Sequence, residues 1–276
     1  MDKPLRACVI GHPIVHSRSP LIHGHWLEQY GIKGAYEKLD VAPAILADFL
    51  SEIRLGSWLG CNVTIPHKQA VMTLVDSVAD EARKIGAANT LWLEDGKLKA
   101  TNTDAYGFAA NMDDFAPDWR EAQTCLIIGA GGAARAVVHA CKEAGISDVT
   151  ITNRTTERAD ELASEFSVHS VQLIEALQNL DLYQVIINTT SAGMGDIPPL
   201  PINFKSARSG TIAADIVYAP LNTQFLLDAR THGLRTVDGL GMLLHQAVPG
   251  FEKWFGQRPV VDTSLRRLIL DDLGEP

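Results

Sequence analysis

The segment that most narrows the fold is Leu126-Ile127-Ile128-Gly129-Ala130-Gly131-Gly132-Ala133-Ala134-Arg135. With Thr124 and Cys125 before it, its start is a short apolar run suited to a strand covered on both faces. Its end leads into a stretch rich in Ala and Val. The turn between them reads Gly-x-Gly-x-x-Ala. Gly129 permits a tight turn, Gly131 lets backbone N–H groups approach a pyrophosphate, and Ala134 is small enough for close helix–strand packing. The start of the helix favours negative charge. Between a strand and a helix, the motif predicts a dinucleotide-binding unit; a glycine-rich turn without a ligand is the plain alternative.

What surrounds this unit has the same rhythm. Strand-like runs at 124–128, 149–152, 168–171, 185–189, 211–216 and 234–237 alternate with helical patterns. Such alternation predicts an α/β fold with a doubly wound parallel sheet. The chain has 276 residues, enough for two domains. The part before the sheet is also α/β. Ser19 can cap a helix with Pro20 at its first position, and Gly31 ends it. Pro43 opens a second helix, with Ile45, Leu46, Phe49, Leu50 and Ile53 on its buried side. A strand from Gly60 to Ile65 runs into Pro66 and a third helix reaching about Val75. Residues 90–101 read as a hairpin turning at Asp95-Gly96. A linking helix covers about 105–115. After Gly239 the chain is helical, first from Met242 to Trp254, then in a helix capped by Asp262. Having no strand of their own, these helices are expected to pack back on the first domain. The expected division is 1–104 completed by 240–276, with 105–239 between them.

The second strand of the sheet bears on cofactor choice. A site for NAD places Asp or Glu about 20 residues beyond the glycines. Here Val149-Thr150-Ile151-Thr152 ends in Asn153-Arg154-Thr155-Thr156-Glu157-Arg158. The acid is missing and an arginine stands just beyond its place. Arg154 and Thr155, with Arg158 nearby, suit the 2′-phosphate of NADP. The alternative is that both arginines are solvated surface groups.

In the first domain, His16-Ser17-Arg18-Ser19-Pro20 puts two hydroxyls at a strand-to-helix turn, and each can donate to a carboxylate. Alone, this reads as a helix cap. Asn62-Val63-Thr64-Ile65-Pro66-His67-Lys68 places Asn62 and Thr64 on one side of a strand and Lys68 in the first turn of a helix. The helix dipole disfavours a cation there, so Lys68 needs another reason. Proton transfer is one; a plain exposed lysine is the alternative. Asp104, in Asn102-Thr103-Asp104, can cap the next helix or pair with Lys68. Asn89 is another polar group at the entry to a strand.

Composition sets the outer limits. Hydrophobic residues at 46% and charged residues at 21% exclude a disordered chain. The net charge of −9 argues against duplex nucleic acid as a partner, because phosphate backbones need a basic field. No apolar run is long enough to span a bilayer, and the opening stretch from Met1 breaks too soon at Gly11 and Pro13 for a signal peptide. Cys8, Cys61, Cys125 and Cys141 show no CxxC spacing, so reduced, buried thiols in a cytoplasmic protein are expected. No metal cluster stands out. A monomer or a homodimer fits equally well.

Together these segments resemble the shikimate dehydrogenase family. The opening motif is Gly11-His12-Pro13-Ile14-Val15-His16-Ser17-Arg18-Ser19-Pro20, and the lysine motif runs from Asn62 to Lys68. Gly86-Ala87-Ala88-Asn89-Thr90, Asn102-Thr103-Asp104, the glycine loop, Asn153-Arg154-Thr155, Thr190-Ser191-Ala192-Gly193-Met194, Asp215-Ile216-Val217-Tyr218-Ala219-Pro220 and the segment from Asp238 to Ala247 follow in the family's order. Ala105 stands where the family often has glycine. The resemblance implies an N-terminal substrate domain, a Rossmann NADP-binding domain and reversible reduction of 3-dehydroshikimate to shikimate by NADPH. It implies Lys68 and Asp104 as the acid–base pair. Ser17 and Ser19, with Tyr218, would hold the substrate carboxylate; Thr64, Asn89, Asp104 and Gln246 would read its hydroxyls. The dinucleotide would meet Gly129, Ala130, Gly131, Gly132, Ala133, Asn153, Arg154, Thr155, Arg158, Ile216, Val217, Gly239 and Met242. Two alternatives are a quinate/shikimate dehydrogenase with mixed NAD/NADP use and a non-catalytic sensor on the same fold.

Overall fold

Strand Leu5–Gly11 (β1) opens the fold, in a computed structural model that describes residues 5–275. Expectations for residues 1–4 and 276 lie outside the described residues. The chain forms two compact units. The first takes residues up to Thr103 and then Gln246–Asp272; the second takes Asp104–His245 and the residues from Leu273.

In the first unit β1 is followed by helix Ser19–Gln29 (α1), strand Gly34–Asp40 (β2), helix Leu46–Arg54 (α2) and strand Gly60–Val63 (β3). Then come strand Ser77–Val78 (β4), helix Asp80–Ile85 (α3) and strands Thr90–Glu94 (β5) and Lys97–Thr101 (β6). The sheet order is β2-β1-β3-β5-β6-β4, and it is mixed: β1 is parallel to β2 and β3, while β5 is antiparallel to β3 and β6. Its tight hairpin turns at Asp95 (φ 52°) and Gly96 (φ 71°), the positive pair that a two-residue connection requires.

Several local expectations change. Ser19 does not cap α1; Arg18 is the N-cap residue and no side chain closes the turn. Ile45 is exposed, because a short 3-10 turn, Pro43–Ile45, precedes α2. β3 stops at Val63 and Ile65 points outward. No α-helix follows Pro66, only a 3-10 turn at Ala70–Thr73. β2 is a strand that the sequence reading does not include.

The second unit begins with helix Asp104–Phe115 (α4) and continues through strand Thr124–Ile128 (β7), helix Gly132–Glu143 (α5), strand Asp148–Thr152 (β8) and helix Thr156–Phe166 (α6). Strand His169–Ser170 (β9), helix Leu173–Gln178 (α7), strands Val185–Asn188 (β10) and Ile212–Asp215 (β11), helix Gln224–Thr231 (α8), strand Arg235–Val237 (β12) and helix Leu240–His245 (α9) complete it. All six strands are parallel, in the order β12-β11-β10-β7-β8-β9. This is the doubly wound α/β sheet.

The chain then returns to the first unit as helices Val248–Phe255 (α10) and Thr263–Leu273 (α11). The single helix expected from Met242 to Trp254 is thus two, divided at Gln246-Ala247. Asp262 does cap α11, accepting from Leu265 N at 2.9 Å. Helix α10 covers one face of the first sheet. Trp254 Nε1 donates to Leu91 O at 2.9 Å, and its indole fills the space where a side chain at residue 60 would lie, so that position is glycine. His23, Trp26, Tyr36, Phe251 and Trp254 form one aromatic cluster there. On the sheet's other face Cys8, Ile10, Phe49, Leu50, Ile53, Val63 and Leu91 belong to an apolar core. All four cysteines are free and buried.

Candidate active site

The first sheet's topology gathers its candidate residues at one edge. β1, β3 and β6 end there and β5 begins there. Ser17 and Ser19 follow β1, Thr64 and Lys68 follow β3, Asn89 precedes β5, and Thr103 follows β6. The loops are tied together. Thr64 N donates to Ile10 O at 2.9 Å and His12 N to Ile65 O at 3.0 Å. A Cβ on Gly11 would lie 2.6 Å from Thr64 Cγ2, so only glycine lets these loops approach. Ala88 N donates to Lys68 O at 2.8 Å, which sets the lysine backbone beside Asn89. Lys68 itself lies in a turn ahead of the 3-10 segment. The helix-dipole reason for noticing it therefore does not hold; its neighbours at this edge supply the better one.

Behind the edge runs a buried polar network. Asn89 Oδ1 accepts from Thr103 N at 2.8 Å and Thr90 Oγ1 at 3.0 Å, with Thr103 Oγ1 3.1 Å away. With its oxygen held, the Asn89 amide has a fixed orientation. Thr103 Oγ1 also lies 2.7 Å from Gln246 O, which brings the returning chain to the same edge. Asn62 is a scaffold member of the network. It accepts from Tyr36 Oη at 2.6 Å and donates to Asn89 O at 3.2 Å. Burial holds the Tyr36 phenol well above its ordinary range, so it remains a donor. His67 is buried too, bonded through Nε2 to Val41 O at 2.6 Å.

The second unit carries the rest. Gly129 has φ 120° and touches Thr189; a Cβ there would lie 2.5 Å from Thr189 Oγ1, so residue 129 must be glycine twice over. Gly131 and Gly132, by contrast, face open space, and no side chain caps α5. A cradle of free N–H groups at a helix start is what a pyrophosphate needs. Ala130 and Ala133 lie within the same turn. Arg135 is not part of that cradle: it pairs with Glu165 on α6, and this bond holds the Glu165 carboxyl below its usual range. Asn153 closes the β8–α6 turn by donating to Thr155 O at 3.0 Å, and Arg154 and Arg158 stand exposed on that turn and the helix after it.

At the ends of β10, β11 and β12 the chain packs closely. A Cβ on Gly239 would meet Ile216 O at 2.3 Å, so Gly239, Ile216 and Val217 share one place. Met242 is buried on α9, and Tyr218 is half-buried just beyond Val217. Asp104 is buried at the start of α4. Asn188, Thr189, Asp215 and Thr223 form hydrogen-bonded contacts at these strand ends that the sequence reading did not assign. An Asn ending an apolar run was the available signal.

Three family models match the chain. They are described as shikimate dehydrogenase substrate binding domain (residues 9–91), shikimate / quinate 5-dehydrogenase (113–196) and shikimate 5′-dehydrogenase C-terminal domain (239–263). The shikimate dehydrogenase (NADP(+)) of Brucella abortus strain S19 is 50% identical over 280 residues, spanning 100% of this chain and 97% of its own. The crystal structure of shikimate 5-dehydrogenase from Thermus thermophilus, in complex with NADP(H) and shikimate, aligns with a TM-score of 0.85 at 37% identity, over 96% of this chain and 99% of that one. Quinate dehydrogenase from Corynebacterium glutamicum, in complex with NAD, aligns with a TM-score of 0.90 at 28% identity, over 97% and 99%.

Proposed function

The chain belongs to the shikimate dehydrogenase family; it is an oxidoreductase that interconverts 3-dehydroshikimate and shikimate with NADP(H), on the route to chorismate and aromatic amino acids, and we propose that Lys68 and Asp104 are its acid–base pair. The observation that supports Lys68 most is the shared sheet edge that holds Thr64, Lys68 and Asn89 together, with Gln246 tied to Thr103.

The residues fit the dinucleotide. Residues 129–133 offer glycine-opened backbone at the start of α5, and Asn153, Arg154, Thr155 and Arg158 suit a 2′-phosphate. Ile216, Val217, Gly239 and Met242 would wall the nicotinamide. The cofactor supplies hydride when bound.

The chain's own groups handle the remaining charge. Lys68 stabilises the developing alkoxide and donates its proton; in the oxidation it takes that proton back. Asp104 is the carboxylate member of the proposed pair. Ser17 and Ser19, with Tyr218, donate to the substrate carboxylate. Thr64, Asn89 and Gln246 read ring hydroxyls. Because Asn89 has its oxygen held by Thr90 and Thr103, it selects geometry as well as polarity. We place the enzyme in the cytoplasm, as a monomer or homodimer; its four buried, free thiols fit a reducing compartment. Among the described residues no helix is long and apolar enough to cross a membrane.

An absorbance assay at the nicotinamide band tests the reading, with shikimate or quinate and NADP or NAD. Turnover of shikimate with NADP is expected; its absence refutes the assignment. Better turnover of quinate with NAD would move the enzyme to the mixed class. Lys68→Ala is expected to lower kcat by about 10²–10⁴-fold with substrate affinity less affected.

A further inference from the structure

We infer that Asp215 and Asn188 are positioning residues for the dinucleotide, a side-chain pair that fixes the end of β11, which leads into the nicotinamide wall, to the end of β10 beside the glycine loop. The inference rests on the cofactor assignment proposed above. β10 and β11 are neighbouring parallel strands, and Asn188 stands opposite Asp215 in their register. Both are sealed from solvent, at 0% and 2% exposure.

A carboxylate in such a place is costly unless fully bonded, and burial pushes the Asp215 carboxyl above its usual range. Its donors are all neutral: Asn188 Nδ2 at 3.0 Å, Thr223 Oγ1 at 2.7 Å and Val217 N at 3.0 Å. These bonds fix the direction of each group they join. On the far side of the pair, Asn188 Oδ1 accepts from Thr190 N at 3.0 Å and from Thr190 Oγ1 at 2.7 Å. Thr190 Oγ1 in turn accepts from Ala192 N at 3.1 Å.

One continuous network therefore sets the backbone after β10, the backbone at Val217 and the start of α8. It lies at the carboxyl ends of the parallel strands, where a doubly wound sheet binds its ligand. It also adjoins the glycine loop: Thr189 Oγ1 donates to Ile128 O at 2.9 Å and packs against Gly129. Neither acid nor amide needs to touch the cofactor to act in this way.

The test is NADP affinity by quenching of intrinsic fluorescence, with KM for NADP and for shikimate measured separately. Asp215→Asn is expected to weaken NADP binding about tenfold while KM for shikimate moves less than about twofold. A folded Asp215→Asn protein with wild-type NADP affinity overturns the inference. If Asp215→Asn fails to fold, Thr223→Val takes its place: a loss of about threefold in NADP affinity is expected, and unchanged affinity overturns the inference. Binding needs no turnover. A wild-type protein that bound NADP but was inert toward shikimate would strike the proposed reaction and leave this inference standing.

Discussion

His23 sits on α1 with its ring stacked on Tyr36, centroids 3.9 Å apart, and neither ring nitrogen has a hydrogen-bond partner among the described residues. Burial pushes its pKa down to about 3. The folded chain therefore refuses a proton that the unfolded chain accepts below pH about 6.5. Stability should be unaffected above that pH and fall as pH drops through the window toward 3. At about 1.4 kcal/mol per unit, the loss by pH 5 is about 2 kcal/mol. Denaturant titrations at pH 7 and pH 5 check this: wild type should lose about 2 kcal/mol more than His23→Phe. Equal losses would assign the effect to another group.

Among the elements, the β8–α6 turn carries the sharpest prediction. Arg154→Gln should raise KM for NADP about 10–100-fold and leave KM for NAD nearly unchanged, because only the former carries the 2′-phosphate. Parallel kinetics with the two cofactors measure it; equal shifts would return Arg154 to the solvated surface. This turn, the glycine loop and the six parallel strands were legible because each combines a short apolar run with its own turn chemistry. β2 was not. Its residues Gly34–Asp40 include Glu37 and Lys38, and its one buried side chain is Tyr36, as suits an edge strand. The segment after Pro66 misled in the opposite direction. Pro66 is a good helix opener, but the chain from Thr64 to Lys68 is set by long-range backbone bonds to Ile10 and Ala88, which no local pattern encodes. The Asn188–Asp215 pair escaped for the same reason: its meaning lies in the register of β10 against β11.

For the molecule as a whole, the discontinuous first unit is the governing fact. One face of its sheet depends on α10, through Trp254 and Phe251. A chain ending at His245 should keep the parallel-sheet unit and lose the first. Hydrogen exchange read by mass spectrometry should then show β7, β8, β10 and β11 protected and β1, β3 and β5 exchanging freely. Protected β1 and β3 in that shortened chain would show that the opposite apolar core suffices.

The late return of α10 also orders events on the ribosome. β1, β3 and β5 leave the exit tunnel early, yet the Trp254 that closes over Gly60 emerges only after β12, the last strand of the parallel sheet. The second unit has all six of its strands while the first still lacks a wall. For that interval the nascent chain shows an aromatic face on α1 and β2 to its surroundings, the kind of surface that holdase chaperones shield. The unit translated first thus gains its closing wall late.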